Sequence, residues 1–357
     1  MVEGWADHAG GRHHGAHGAL ASRSLTLLDN ILDFSQNVNP LGPPNGTLEA
    51  AQRAVMDESG SYPALDYPDL REALALYIGV SAATVLPTNG GAEALFLAAC
   101  AASGNRGQKA VLLEPTFSEY AAAARTAGLE PVHRISRRPE NDFAFDASVL
   151  DGLDDVAVVF LCNPNNPTGN ALSRKQVMDV AEKVREAGAA LIVDEAFADF
   201  VPRVSVAQEV DERLYVARSL TKFFAIPGLR LGALISANPD LAQSFQPSWS
   251  VNAPAAAAGA VAARDRDFAE RSISTVECLR EDLHAALNAL PGIEAFPGAA
   301  NFLLACGPEG LAGRLARRGV LVRGCEPFVG LGPEFFRVAV RGEVENGRLI
   351  KALREEL

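Results

Sequence analysis

The stretch Val156 to Gly169, VAVVFLCNPNNPTG, joins seven consecutive apolar residues to a loop with two X-Pro steps and a closing glycine. A short apolar run bounded by turn residues reads as a strand buried on both faces. Downstream, Ser173–Glu186 has helical spacing, with Ser173 and Gln176 placed as a capping box. Ala190–Val193 then returns to a buried strand. Strand, loop, helix, strand is the repeating unit of a parallel sheet covered by helices.

The alternation continues in both directions. Upstream, Leu70, Ala73, Leu74 and Tyr77 share one helical face, and Asn89-Gly90-Gly91 opens a helix over Ala92–Ala102. Ala110–Leu113 reads as a strand and Glu119–Ala127 as a helix; Leu214–Ala217 and Leu231–Ile235 complete the strands. After Pro254 a single Ala/Arg/Glu helical stretch is expected to about Leu290. Strands Asn301–Ala305, Val320–Arg323 and Phe336–Val340 and a last helix, Glu343–Glu356, follow. The expected class is α/β, with a mostly parallel, doubly covered sheet in residues 45–250. Residues 1–44 and 251–357 form an N-terminal arm and a smaller α+β domain.

Composition narrows the function. With 32 Lys+Arg against 44 Asp+Glu, the chain of 357 residues carries a net charge of −12. That balance offers no footprint for a phosphate backbone, so no nucleic-acid partner is expected; local arginines can still take small anions. At 48% hydrophobic and 21% charged residues the chain is globular, and long enough for two domains. The apolar run Ala253–Ala263 is about half the ~20 residues of a bilayer span, so no membrane is expected. No signal-peptide pattern opens the chain, and five scattered cysteines read as reduced thiols, so a cytoplasmic location is expected. His8, His13, His14 and His17 could bind metal or form a tag or loose arm; without Cys or acidic ligands spaced with them, no metal is expected.

In an open parallel sheet, ligands bind beyond the carboxyl ends of the strands. After Val193 comes Asp194. An Asp there is ordinarily a cap or turn, but a carboxylate held against a buried strand requires a cationic partner, such as a protonated pyridine nitrogen. After Ala217 comes Arg218-Ser219-Leu220-Thr221-Lys222-Phe223. A lone Lys usually faces solvent; among apolar neighbours its pKa falls and it can form a Schiff base with an aldehyde. Ser219, Thr221 and Arg230 could meet a phosphate there. The loop Asn163–Gly169 is a tight turn that can also fix an amide as donor to a phenolate oxygen. Asn89-Gly90-Gly91 can turn N–H groups toward an anion at a helix N-terminus.

In chain order these features form a Gly turn, an Asn loop, an Asp, and a Lys with hydroxyls and an Arg. The pattern resembles the fold-type I pyridoxal-phosphate enzymes of the aminotransferase class I/II group. NPNNPTG, the 28-position step from Asp194 to Lys222, and Gly228-Leu229-Arg230-Leu231-Gly232 carry the resemblance, which spans nearly the whole chain. It implies pyridoxal 5′-phosphate as cofactor, Lys222 as its Schiff-base lysine and Asp194 as partner of its ring nitrogen. Asn166 would hold the phenolate, and Phe117 would stack on the ring. Ser219, Thr221, Arg230 and the N–H groups of Gly91 and Ala92 would take the phosphate. Tyr62 matches a tyrosine that reaches the neighbouring subunit's phosphate, implying a homodimer with shared sites.

The resemblance also bears on substrate. Arg337 stands where the family clamps an α-carboxylate, and Arg323, fourteen positions earlier, suggests a second anion, most simply a phosphate. Either could instead be a surface ion pair, since other arginines lie close by in sequence. Two branches acting on phosphorylated substrates are nearest: threonine-phosphate decarboxylases of cobalamin synthesis and histidinol-phosphate aminotransferases. LDFSQNVNPLG, DEAFADF, WSVNAPA and FFRVAVR favour the decarboxylases. So does Phe197, where most aminotransferases of the group place a Tyr that donates to the phenolate. Asn37 matches a residue near the substrate carboxylate. His14-Gly15 or His17-Gly18 answers to a His-Gly element at the substrate phosphate. A cofactor-binding regulator without turnover is the alternative of another class; the intact Asp194/Lys222 pair argues against it.

Overall fold

Residues 31–104 and 107–357 are described by the computed structural model, and the histidines between His8 and His17 lie outside them. The central sheet has the order β2-β8-β7-β6-β5-β3-β4. Its strands are β2 Val85–Thr88, β3 Lys109–Glu114, β4 Glu130–Ile135, β5 Val156–Cys162, β6 Ala190–Asp194, β7 Leu214–Ser219 and β8 Gly232–Ile235. From β4 through β7 every pairing is parallel, and β8 runs against both of its neighbours. The sheet is therefore mostly parallel, as its apolar runs require.

Two faces are buried because side chains alternate along each strand. Val159 and Leu161 join one core with Leu70 and Val177 of the helices Pro68–Ile78 and Arg174–Glu186. Val158 and Phe160 join the other with Leu95 and Ala123 of the helices Gly90–Ala102 and Glu119–Thr126. The expected capping box is present: Ser173 Oγ accepts from Gln176 N at 3.3 Å, and Gln176 Oε1 accepts from Ser173 N at 2.9 Å.

A second sheet is antiparallel, with order β12-β13-β10-β9. Its strands are β9 Glu294–Ala295, β10 Phe302–Cys306, β12 Arg323–Gly324 and β13 Phe335–Ala339. A short parallel pair, β1 Leu32–Asp33 with β11 Val320–Leu321, draws the chain's early segment against this part of the molecule. Leu32 and Phe34 bury there with Leu283, Leu303, Val338 and Leu349.

Several elements differ from the sequence expectation. The helical stretch after Pro254 is two helices, Ala253–Ala262 and Arg266–Asn288. The break falls before Asp265, whose carboxylate caps the second helix by accepting from Phe268 N at 2.8 Å. The expected strand Val320–Arg323 divides into β11 and β12, which serve different sheets. Strands β2 and β4 were not foreseen, and they are the two edges. β2 contains Pro87 and β4 is half exposed, so neither carries the continuous apolar signature of the interior strands.

Arg218 on β7 lies buried between Glu195 and Asp199, just beyond β6. Its Nη1 donates to Glu195 Oε2 at 2.8 Å and its Nη2 to Asp199. Glu195 also accepts from Ser205 Oγ and Val206 N, at 2.6 and 2.7 Å. Removing one member of such a cluster leaves buried charge uncompensated. Arg218→Met is expected to cost about 3–5 kcal/mol in urea unfolding. Adding Glu195→Gln should recover part of that loss, because the two residues are in contact.

Candidate active site

A cleft of about 300 Å³ opens beyond the carboxyl ends of β5, β6 and β7. Twelve of the thirteen candidate residues line it: Asn37, Gly91, Ala92, Phe117, Asn166, Asp194, Ser219, Thr221, Lys222, Arg230, Arg323 and Arg337. Tyr62 does not. It is 80% exposed and stacks on Trp249, with ring centroids 4.4 Å apart.

Lys222 lies on a single helical turn, Leu220–Phe223, directly after β7. Its Nζ donates to Ser219 Oγ at 2.8 Å and stands 5.7 Å from the centroid of the Phe197 ring. Burial lowers its pKa below the ordinary lysine range; Asp194 opposes the shift, while Arg230 and Arg337 add to it. A lysine of this kind is partly uncharged nearer neutrality, as a nucleophile or proton carrier requires.

Asp194 ends β6. Its Oδ2 accepts from Tyr120 Oη at 2.7 Å and its Oδ1 from Ala196 N at 2.9 Å. Burial raises the carboxyl pKa; the Tyr120 hydrogen bond, the Lys222 charge and the Ala196 N–H pull against it. Sequence reasoning assigned Tyr120 no role. It is fully buried, stacked on Phe160 at 5.1 Å and set edge-on to Phe117 at 5.8 Å, so its hydroxyl is held on Asp194 by packing.

At the other end of the cleft the backbone comes close. Gly90, at φ +79°, starts the helix Gly90–Ala102, and a Cβ on Gly91 would lie 2.8 Å from Ser219 Cβ. A Cβ on Gly232 would lie 2.6 Å from Gly91 N. The glycines let this helix N-terminus sit against β7 and β8, with its first N–H groups beside Ser219, Thr221 and Arg230. Ser219 Oγ and Thr221 Oγ1 are 3.0 Å apart. Arg230 donates to Pro227 O at 3.0 Å and has an exposed side chain.

Arg323 and Arg337 face each other across β12 and β13 as register partners. Both are buried, and both line the cleft. Arg337 donates to Asn166 Oδ1 and, at 2.9 Å, to Ser35 O, and its guanidinium lies 5.2 Å from the Phe302 ring centroid. Burial brings its pKa down to about 10; Cys325 opposes and Arg323 adds to the fall. Arg323 lies 5.8 Å from the ring of Phe328, and burial lowers its pKa as well. Like charges opposite one another destabilise a sheet. A ligand with two anionic groups would offset that cost. Asn37 is buried, with an Oδ1 that has no hydrogen-bond partner among the described residues.

The model of the family "Aminotransferase class I and II" matches residues 29–353. The chain is 38% identical to a threonine-phosphate decarboxylase of Salmonella typhimurium, with 96% of each covered. It is 31% identical to a histidinol-phosphate aminotransferase of Methanopyrus kandleri, covering 92% of this chain and 89% of the relative. A solved histidinol-phosphate aminotransferase from Clostridium acetobutylicum superposes with TM-score 0.83 at 28% identity, over 91% of this chain and 99% of that one. The chain belongs to the class I and II aminotransferase family and is an enzyme with pyridoxal 5′-phosphate as cofactor. The residues present fit that group. The glycine cradle with its hydroxyls and Arg230 suits a phosphate, buried Asp194 suits a ring nitrogen, and Lys222 stands between them.

One consequence of the buried lysine is measurable without cofactor. With its pKa lowered in the folded state, Lys222 imposes a full stability penalty below its folded pKa. The penalty disappears as pH rises to its unfolded value, about 10.4. Cofactor-free Lys222→Met is therefore expected to be more stable than wild type at neutral pH. The gain should shrink toward zero as denaturant melts are repeated at rising pH.

Proposed function

We propose that this member of the class I and II aminotransferase family decarboxylates L-threonine O-3-phosphate to (R)-1-amino-2-propanol phosphate, a step of cobalamin biosynthesis. The observation that carries the reading is the facing pair Arg323 and Arg337 in one cleft, which suits a substrate bearing both a carboxylate and a phosphate. The 38% identity to a threonine-phosphate decarboxylase points the same way.

When bound, pyridoxal 5′-phosphate supplies an electron sink for the charge left on the substrate α-carbon as a bond there breaks. The chain's residues decide which bond that is. Arg337 would take the α-carboxylate through its paired Nη groups, with Asn37 beside it, and Arg323 the distal phosphate. That two-point hold would set the carboxylate, rather than the α-hydrogen, in the orientation that breaks its bond. Asp194, held by Tyr120 and Ala196 N, would keep the ring nitrogen protonated. Asn166 would donate its Nδ2 to the phenolate. Phe197 offers no hydroxyl there, so the phenolate would have one donor fewer than where a Tyr occupies this position. Lys222 would return a proton to the α-carbon after carbon dioxide leaves.

Carbon dioxide release from threonine phosphate, with no 2-oxo acid added, is the expected result. Nitrogen transfer from histidinol phosphate to 2-oxoglutarate, without carbon dioxide, would make this an aminotransferase instead. Lys222→Ala should abolish turnover in either case. Arg323→Met is expected to lower kcat/KM for threonine phosphate about 100-fold or more while sparing cofactor affinity.

We propose further that the enzyme is a homodimer in which Tyr62 reaches the neighbouring subunit's cofactor phosphate. Its exposure on the Trp249 stack, away from its own chain's cleft, supports this. Sedimentation should give twice the chain mass. Mixing Lys222→Ala with Tyr62→Ala should yield more activity than the sum of the two parents; a monomer, or no recovery, would contradict the shared site.

A further inference from the structure

Lys222 is carried by only four helical residues, Leu220–Phe223. One turn is too short to hold its shape through its own hydrogen bonds. Those it makes are Phe224 N to Leu220 O at 3.2 Å, Ala225 N to Lys222 O at 3.4 Å and Ile226 N to Thr221 O at 3.0 Å. Shorter bonds reach the same end from outside. Asn39 N donates to Lys222 O at 2.9 Å, and Asn39 Nδ2 donates to Phe223 O at 2.8 Å. The amide also donates to Ser272 Oγ at 2.9 Å, on the helix Arg266–Asn288, and its Oδ1 accepts from Leu41 N at 3.1 Å. Asn39 is 2% exposed, and each polar group of its side chain is engaged.

The segment from Asp33 to Asn39 forms a strap, and its other end is equally fixed. Asp33 accepts from Ser35 N and Oγ at 2.8 and 2.6 Å and from Gln36 Nε2 at 2.7 Å. The turn so formed presents Ser35 O to Arg337. The strap therefore joins the arginine side of the cleft to the backbone beneath the lysine.

We infer that Asn39 is a positioning residue for Lys222: by holding the carbonyls of Lys222 and Phe223 it aims the lysine amine at the cofactor's aldehyde carbon. The inference rests on Lys222 being the residue that bonds the cofactor, and not on which reaction follows. Side-chain amides of Asn donate to two acceptors at once, and Asp, its isostere, cannot donate to a carbonyl when ionised. Asn39→Asp therefore removes the hold on Phe223 O while keeping the volume.

The test compares two ligands added to cofactor-free protein: pyridoxal 5′-phosphate, and 4′-deoxypyridoxine 5′-phosphate, which lacks the aldehyde and cannot bond to a lysine. Asn39→Ala and Asn39→Asp are expected to weaken pyridoxal 5′-phosphate binding about tenfold and leave the deoxy analogue unchanged. Ser272→Ala, which touches only the far partner of the amide, should bind both as wild type does. Equal losses for both ligands, no loss for either, or the same selective loss in Ser272→Ala would overturn the inference. If Asn39→Ala does not fold, the isosteric Asn39→Asp decides. Lys222→Ala should bind the two ligands alike; a retained preference for the aldehyde would overturn the reading of Lys222 itself, separately from Asn39.

Discussion

In the register of β6 and β7, Asp194 lies opposite Ala217, so the chain places Ser219 at the end of β7 and Lys222 just past it, beside a buried carboxylate. The rest of the site depends on that pairing. A parallel register is rigid where both faces are buried, because a one-residue slip would move every side chain into the opposite core, which is packed for different shapes. Val193 and Ile192 point to opposite cores, so neither face tolerates the slip. The buried cluster of Arg218 with Glu195 and Asp199 spans the same two strand ends and locks them by charge as well as by packing.

Around this fixed pair the charges run against the molecule's mean. The chain carries −12, yet Lys222, Arg230, Arg323 and Arg337 line one cleft. Burial lowers the pKa of Lys222, Arg323 and Arg337, the sign of cations held away from water. Such a cleft attracts small anions, while the acidic remainder of the surface repels larger ones. Groups such as a phosphate or a carboxylate suit its charges.

Much of the fold was legible because burial writes itself into local pattern. β5, β6 and β7 are continuous apolar runs, and the residues after them carry the chemistry. The edge strands β2 and β4 were not legible: Pro87 and the half-exposed Glu130–Ile135 run lack that pattern. The break at Asp265 lay within an otherwise helical composition, where a cap is easily read as one more polar position. Tyr120 was invisible as a site residue because its role depends on Asp194, 74 positions away.

From sequence alone came the α/β class, the family resemblance and twelve residues that line one cleft: Asp194, Ser219, Thr221 and Lys222 from their places at or after a strand end, Gly91 and Ala92 from a helix start, and others, Asn37, Phe117 and Arg337 among them, from the resemblance. Tertiary structure alone decided which groups hold those residues: the Tyr120 hydroxyl on Asp194, the backbone Ser35 O on Arg337, and the backbone N and side-chain amide of Asn39 on the carbonyls of Lys222 and Phe223. It also set Arg323 directly against Arg337 and Tyr62 outside the cleft of its own chain. The reason is physical. Local pattern reports which face of an element is buried, whereas a hydrogen bond between residues 184 positions apart, as from Asn39 to Phe223, exists only once every intervening element has packed.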